Sequence, residues 1–369
     1  MAEKLRLAFA GGGTAGHLYP ARNLLKLFEN SVSCEALFFG TEKGIEARRV
    51  PSWGYPLQLL PVRGFQRRLT AANLSFPYRL WQSLRISRAA LRDFRPHVVI
   101  GTGGYVMGPV LKAALKEGAL ILIQEQNSYP GVTTRLLAAR AHKVYCAYKE
   151  AEAFLTGARC RVVANPVLAP ERREETGPAR EAFELHPERK TILVFGGSLG
   201  AGSINKALAA WLEEESEKDV QVIWQTGERQ YDIYAQKFGK RAGVRVMPFI
   251  ENMWRAYAAA DFAVCRAGAM SLAELAVAGV PALLVPLASA AGDHQTQNAR
   301  ALEARGAARV LRDDATLPGK LSAELELWLD DEGRVRGFKK NMAALGNPRA
   351  AQEIVDDILN LLKEKKIWY

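Results

Sequence analysis

The stretch Cys265-Arg266-Ala267-Gly268-Ala269-Met270-Ser271-Leu272-Ala273-Glu274 decides how this chain is read. An apolar strand over Phe262 to Cys265 runs into a glycine-containing turn and then a helix over Ser271 to Ala278, which Gly279-Val280-Pro281 stops. A second strand, Ala282 to Pro286, and a polar loop, Asp293-His294-Gln295-Thr296-Gln297-Asn298, follow. In an open parallel α/β sheet, small residues at a strand's C-terminal end leave backbone N–H groups uncovered. The next helix points its positive end at the same crevice, so an anion is expected there. Glu274 lies one helical turn past Met270 and Ser271, within reach of a neighbouring diol such as a ribose; the alternative is a solvated helix residue.

Outward from this stretch the same arrangement recurs. Thr191 to Phe195 leads into Gly196-Gly197-Ser198-Leu199-Gly200-Ala201-Gly202, and Leu5 to Ala10 leads into Gly11-Gly12-Gly13-Thr14-Ala15-Gly16-His17 with a helix from about Pro20 to Phe28. Val98 to Thr102 ends in Gly101-Thr102-Gly103-Gly104-Tyr105, and Ala119 to Ile123 delivers Gln124-Glu125-Gln126-Asn127, amides suited to sugar hydroxyls with Glu125 as a candidate base. Further strands near Pro56 to Leu60, Lys143 to Ala147 and Arg161 to Ala164 make the first half a six- or seven-stranded unit. Val220 to Gln225 and Val244 to Pro248 extend the second. The charged, proline-bearing stretch from Asn165 to Arg180 reads as a linker between the two.

Gly11, Gly13 and Gly16 satisfy G-x-G-x-x-G, and the strand Ala36 to Gly40 leads to Glu42, so a nicotinamide-dependent oxidoreductase is one alternative. His17 is foreign to that fingerprint, because the third glycine there serves close helix packing. A histidine at a helix start, facing the crevice, is placed either as a general base or substrate contact, or as a ring that only caps its loop.

At 369 residues the chain exceeds one core of usual size, and 49% hydrophobic residues suffice for two. Cys34, Cys146, Cys160 and Cys265 are too scattered for a zinc site or a disulfide framework, which suits a reducing compartment. The N-terminus lacks a signal-peptide layout, and Gly279, Pro281 and Pro286 break the uncharged run Leu275 to Gly292, so a soluble protein is expected. Most of the surplus of +11 lies between Arg63 and Arg95, where eight arginines face one acid, Asp93. Within that window Leu80, Leu84, Leu91 and Phe94 share one helical stripe and Arg85, Arg88, Arg92 and Arg95 another, with Trp81 beside the arginines. Such a face rests on anionic headgroups or is simply solvated. The tail from Ala350 to Lys363 reads as a helix that packs against a domain through Ile354, Ile358 and Leu361. Lys363, Lys365, Lys366, Trp368 and Tyr369 would form an exposed basic end.

Two α/β halves with glycine-rich loops at strand ends resemble the GT-B nucleotide-sugar glycosyltransferases, in which two Rossmann-like domains face each other across a cleft. The motifs Gly12 to His17, Gly101 to Tyr105, Glu125 to Asn127, Gly196 to Ala201, Cys265 to Ala269 with Glu274, and Asp293 to Asn298 resemble, in order and over almost the whole chain, the MurG family. These are the undecaprenyl-diphospho-muramoylpentapeptide N-acetylglucosaminyltransferases. The resemblance implies a donor domain over 181–345, a linker over 166–180, and an acceptor and membrane-associating domain over 1–165 onto which a helix at about 346–369 packs back. It implies UDP-N-acetylglucosamine as donor: Ile250 on the uracil, Glu274 on the ribose, Ser198, Ala269, Met270 and Ser271 on the diphosphate with Leu272 and Ala273 beside them, and Gln295 on the sugar. Thr14, Ala15, Gly16 and Asn127 would close on the donor, while His17, Gly103, Gly104 and Tyr105 would face lipid I, the undecaprenyl-linked acceptor. The implied reaction is inverting, with His17 as base and Glu125 behind it, no cofactor and no metal, since no Asp-x-Asp motif occurs.

Two departures stand out: Leu168 occupies the place of a donor-site arginine, for which Arg161, Arg172, Arg266 or helix-end amides alone are the candidate replacements, and Gln124 replaces a frequent histidine. The implied location is peripheral, on the cytoplasmic face of the inner membrane, and no nucleic-acid partner is expected. A UDP-N-acetylglucosamine epimerase of the same fold is the nearest enzymatic competitor. A nucleic-acid-binding protein would account for the arginine window and little else.

Overall fold

The computed structural model describes residues 3–64, 75–197, 200–214, 220–287 and 291–368. The chain divides into two units, Met1–Leu168 with Arg349–Tyr369, and Ala169–Pro348. The first holds strands β1 (Leu5–Gly11), β2 (Cys34–Gly40), β3 (Leu57–Leu59), β4 (Val98–Gly103), β5 (Leu120–Glu125), β6 (Lys143–Cys146) and β7 (Cys160–Val162), all parallel, in the order β3-β2-β1-β4-β5-β6-β7. The second holds β8 (Thr191–Phe195), β9 (Gln221–Gln225), β10 (Val244–Met247), β11 (Phe262–Cys265), β12 (Ala282–Leu284) and β13 (Ala308–Val310), also parallel, in the order β10-β9-β8-β11-β12-β13. Both units are Rossmann-like, as the sequence predicts. In each, the strand order reverses beside the first strand, between β1 and β4 and between β8 and β11. There successive connections leave to opposite faces and open a crevice at the strands' C-terminal ends.

Helices cover both faces of each sheet, which is why the strands read as unbroken apolar runs; every residue of β4, β5 and β8 is buried. Alternation still sorts the side chains. Leu5, Leu7 and Phe9 of β1 pack with Leu24 and Phe28 of helix Ala15–Ser31, whereas Ala8 and Ala10 face Val106 and Val110 on the opposite side. The C-terminal helix, Ala350–Glu364, completes the first of these layers with Ile354, Val355, Ile358 and Leu362. Asp357 of that helix accepts from Lys143 Nζ at 2.8 Å, Tyr145 Oη at 2.6 Å and Arg161 Nη1 at 2.5 Å, which pins it to β6 and β7 through charge-assisted bonds. Trp368 is not an exposed tail residue: it packs against the same core and its Nε1 donates to the Glu3 carbonyl at 2.7 Å. Tyr369 lies outside the described residues.

Four elements differ from the sequence reading. The first helix begins at Ala15 rather than Pro20, so His17 stands inside its first turn and Pro20 deprives only the Gly16 carbonyl of a donor. The stretch from Asp293 to Asn298 opens a helix, His294–Glu303, in place of a loop: it buries Asn298, Ala299 and Leu302, and Thr296 Oγ1 donates to Asp293 Oδ1 at 2.6 Å at its start. Within the expected linker, Thr176–Glu181 is helical, and Arg180, 5% exposed, donates to the Ala259 carbonyl and to Asp261 of the second unit. In helix Phe76–Phe94 the buried line is Ser83, Ser87 and Leu91, while Leu80, Leu84 and Phe94 are only half-buried. Close approach to the neighbouring helix Gly104–Ala114 favours the small serines on the inner face.

Candidate functional site

In the first unit, the loop after β1 is built around a residue the sequence reading passed over. Glu46, fully buried, accepts from the Gly13 N–H at 2.9 Å, the Thr41 N–H at 2.8 Å and Thr41 Oγ1 at 2.9 Å. Its signal in the sequence was the crowd of glycines around it: a Cβ at Gly12 or Gly44 would come within 2.4 or 2.1 Å of its Oε1, and one at Gly40 within 2.2 Å of its Cγ. This carboxylate occupies one of the amides that a dinucleotide's diphosphate would need, and Glu42 sits in the exposed loop beyond β2, both of which count against the nicotinamide alternative.

The loop so held presents His17. Its Nδ1 lies 3.1 Å from the Gly12 carbonyl and 3.2 Å from Thr14 Oγ1. A carbonyl can only accept, so Nδ1 carries the proton and Nε2 the lone pair. The loop after β4 closes against the ring. Gly103 and Gly104 have φ of 109° and 76°, and a Cβ would come within 2.5 Å of His17 Cδ2 at the former and 2.6 Å of the Gly12 carbonyl at the latter. The structure thus brings His17, Thr14, Gly103 and Gly104 together, and Tyr105, 53% exposed, follows directly.

The loop after β5 is different. Glu125 is 3% exposed and its oxygens accept from the Asn127 N–H and Nδ2, both at 3.0 Å, and from the Gly131 N–H at 3.3 Å. This geometry orders the Asn127 loop and engages both Glu125 oxygens within it. Gln124 and Gln126, read as sugar-binding amides, are buried: Gln124 Nε2 donates to Asn165 Oδ1 and Gln126 Nε2 to the Thr102 carbonyl, so they join strands instead.

In the second unit, the crevice lies between the loop after β8 and helix Ala269–Ala278. Gly197 and Gly200 have φ of 82° and 75°, and a Cβ at Gly200 would strike the Thr226 carbonyl at 2.0 Å. Ser198 lies outside the described residues. Gln225, at the end of β9, ties this loop to the next one: its Nε2 donates to the Gly197 carbonyl at 2.9 Å and its Oε1 accepts from the Ile250 N–H at 2.8 Å. Helix Ala269–Ala278 starts after Gly268 with no side-chain cap and no acid in its first turn, so no carboxylate of that turn offsets the positive end of its dipole. Met270, Ser271, Leu272 and Ala273 follow in that first turn and a half, and Glu274 comes next. The Tyr257 hydroxyl donates to its Oε2 at 2.8 Å, yet burial pushes its pKa up to about 7. Gln295 is anchored by the Leu287 N–H on its Oε1 at 3.0 Å, which leaves its Nε2 as the donor.

Two of the three arginines considered for the missing cation are engaged elsewhere. Arg161 holds Asp357, and Arg266 donates to the Val285 carbonyl, Asp313 and Ser203. Arg172 is exposed. Among the described residues no group of three or more His, Cys, Asp or Glu side chains converges as metal ligands would.

Models of the glycosyltransferase family 28 N-terminal and C-terminal domains match residues 7–146 and 191–356. The chain is 38% identical over 368 residues to the UDP-N-acetylglucosamine–N-acetylmuramyl-(pentapeptide) pyrophosphoryl-undecaprenol N-acetylglucosamine transferase of Flavobacterium psychrophilum, covering 99% of this chain and 100% of that one. To the protein of the same name from Salinibacter ruber it is 41% identical over 357 residues, 96% of each. Among solved structures it is similar to Acinetobacter baumannii MurG, with a TM-score of 0.78, 27% identity and coverage of 96% and 99%. A UDP-N-acetylglucosamine 2-epimerase matches with a TM-score of 0.63 at 14% identity, covering 99% and 98%, a likeness of fold alone.

Two outcomes follow from the buried carboxylates. Ionising Glu274 in the folded protein costs about 3 kcal/mol more than in water, so its contribution to stability is present below about pH 4.5 and is lost as pH rises towards 7. Denaturant titrations from pH 4 to 8 should show that decline, and Glu274→Gln should flatten it. Replacing Glu46 with Gln sets an amide donor against the Gly13 N–H. It should cost roughly 1.5–3 kcal/mol in the same titrations at pH 7.

Proposed function

We propose the chemistry that follows from one premise: this chain belongs to glycosyltransferase family 28, and within it to the MurG-type N-acetylglucosaminyltransferases. It moves N-acetylglucosamine from UDP-N-acetylglucosamine to the 4-hydroxyl of N-acetylmuramyl-pentapeptide on undecaprenyl diphosphate, converting lipid I to lipid II in peptidoglycan synthesis. The observation that carries this is identity of 38–41% over nearly the whole length of relatives so named.

The donor falls to the second unit. The Ile250 N–H is already given to Gln225, so the Ile250 carbonyl is left to accept from uracil N3–H. Glu274 receives the ribose hydroxyls, and the ligand's hydrogen bonds replace solvent around a carboxylate that burial otherwise holds partly protonated. The diphosphate lies at the start of helix Ala269–Ala278 and against the Gly196–Gly202 loop, with Ser198 in that loop. Developing charge on departing UDP is there met by amide dipoles. Gln295 Nε2 donates to the sugar, and Thr14, Ala15, Gly16 and Asn127 complete the donor contacts.

The acceptor falls to the first unit. His17 Nε2 takes the proton of the 4-hydroxyl as that oxygen attacks the anomeric carbon, one displacement that inverts the configuration. Gly103 and Gly104 hold the ring, and Tyr105 borders the acceptor. His17→Ala should lower kcat by about 10²–10⁴-fold, with little change in the KM for UDP-N-acetylglucosamine, in a radiolabelled transfer assay with lipid I. Wild-type protein that converts the donor's sugar to its C2 epimer without lipid acceptor would instead identify an epimerase.

Membrane attachment belongs to the same reading. No helix of the described residues is long and apolar enough to cross a membrane. On helix Phe76–Phe94, however, Tyr78 and Trp81 are 64% and 55% exposed, their rings stacked at 6.1 Å, and Arg85 lies 5.8 Å from the Trp81 ring. An exposed aromatic pair beside a guanidinium suits an anionic headgroup layer, here the cytoplasmic face of the inner membrane. Arg88 and Arg92 both approach Glu117, at 3.9 and 3.2 Å, so the attraction rests chiefly on Arg85 and the aromatic pair. The double variant Trp81→Ala with Arg85→Glu should bind anionic vesicles about tenfold more weakly in a sedimentation assay; unchanged binding would mean a merely solvated face.

A further inference from the structure

A cavity of about 430 Å³ opens in the first unit beside Gly12 and Gly13, the loop to which His17 is bonded, and none of the residues assigned above except Tyr105 lines it. Its size lies in the range of pockets that take small organic ligands. Lys43, Arg63 and Arg79 give it three cations and Glu42 one acid, over a floor of Leu60, Val62 and Val106, each less than 5% exposed. Arg79 is held in place by the Ser75 hydroxyl at 3.1 Å.

We infer that this cavity receives the peptide arm of the acceptor, and that Arg63 and Arg79 bind its carboxylates. The inference rests on the family reading above and goes beyond it by assigning a subsite. The acceptor brings two anionic groups, a diphosphate and a peptide. A diphosphate is best met by amides and cations alone; in this cavity it would lie against hydrocarbon and beside the Glu42 carboxylate. A peptide offers what the lining complements: apolar side chains for Leu60, Val62 and Val106, N–H donors for Glu42, and carboxylates for the arginines.

The sugar ring points the same way. In a muramyl residue the peptide is carried through the lactyl ether on C3, next to the reacting 4-hydroxyl, whereas the diphosphate leaves from C1 across the ring. With the 4-hydroxyl at His17, the C3 arm and the C5 hydroxymethyl group are the substituents nearest the Gly12–Gly13 loop, and of the two only the C3 arm carries carboxylates for the arginines.

The test compares two acceptors that keep the same lipid and diphosphate, one with the full pentapeptide and one trimmed to a single alanine amide without a carboxylate. Wild-type protein should favour the full acceptor by at least about tenfold in kcat/KM, and in Arg79→Met and, separately, Arg63→Met that preference should fall towards parity. Because the readout is a ratio within one preparation, partial loss of folded protein does not disturb it, and Arg63, being exposed, is the gentler of the two changes. A preference near one in the wild type, or a preference untouched in both variants, overturns the assignment; equal losses on both acceptors would place the diphosphate in the cavity instead. Wild-type protein that transfers sugar to neither acceptor would remove the family reading, and the subsite with it.

Discussion

A parallel sheet ends in backbone amides that it cannot satisfy itself, and where its strand order reverses nothing in the fold covers them. The chain meets this constraint twice, with two different outcomes. Beyond β1 the amide of Gly13 is taken by Glu46, an acid of the protein's own, and the Gly12 carbonyl fixes a histidine. Beyond β11 helix Ala269–Ala278 starts with no side-chain cap and no acid in its first turn, so its positive end faces the crevice without a carboxylate of that turn. On the proposed reading, the same topology serves proton transfer in one crevice and a nucleotide diphosphate in the other.

Close packing is what makes the first crevice specific. Gly103 and Gly104 adopt backbone conformations that favour glycine, and they also leave the space the imidazole fills. The ring is thus set by two loops at once, and the tautomer follows from a carbonyl that can only accept. In the second crevice the tuned group is Glu274, whose neighbours exclude enough water to raise its pKa while Tyr257 supplies a single hydrogen bond.

Charge needs the same discrimination. The surplus of +11 suggests a polyanionic partner, yet many of the arginines serve the fold. Arg161 fastens the C-terminal helix, Arg180 and Arg266 reach carbonyls and carboxylates inside the second unit, and Arg88 and Arg92 share Glu117. Among the described residues, cations outside those pairings include Arg85 beside its stacked aromatics, and Lys43 and Arg63 of the cavity beside Gly12.

The amino-acid sequence by itself determined the two parallel α/β units and the glycine loops at their strand ends, because apolar runs, glycine and proline report local backbone geometry directly. It also marked Glu274 and His17, since residues next to such loops must lie at the crevice. Only the tertiary structure decided which polar groups were already spoken for. Glu46 lies 33 residues from the glycine whose amide it accepts, Gln225 lies 25 from Ile250, and Gln124 lies 41 from Asn165. No local pattern encodes such pairings, because a hydrogen bond between distant residues exists only once the strands between them have been laid side by side.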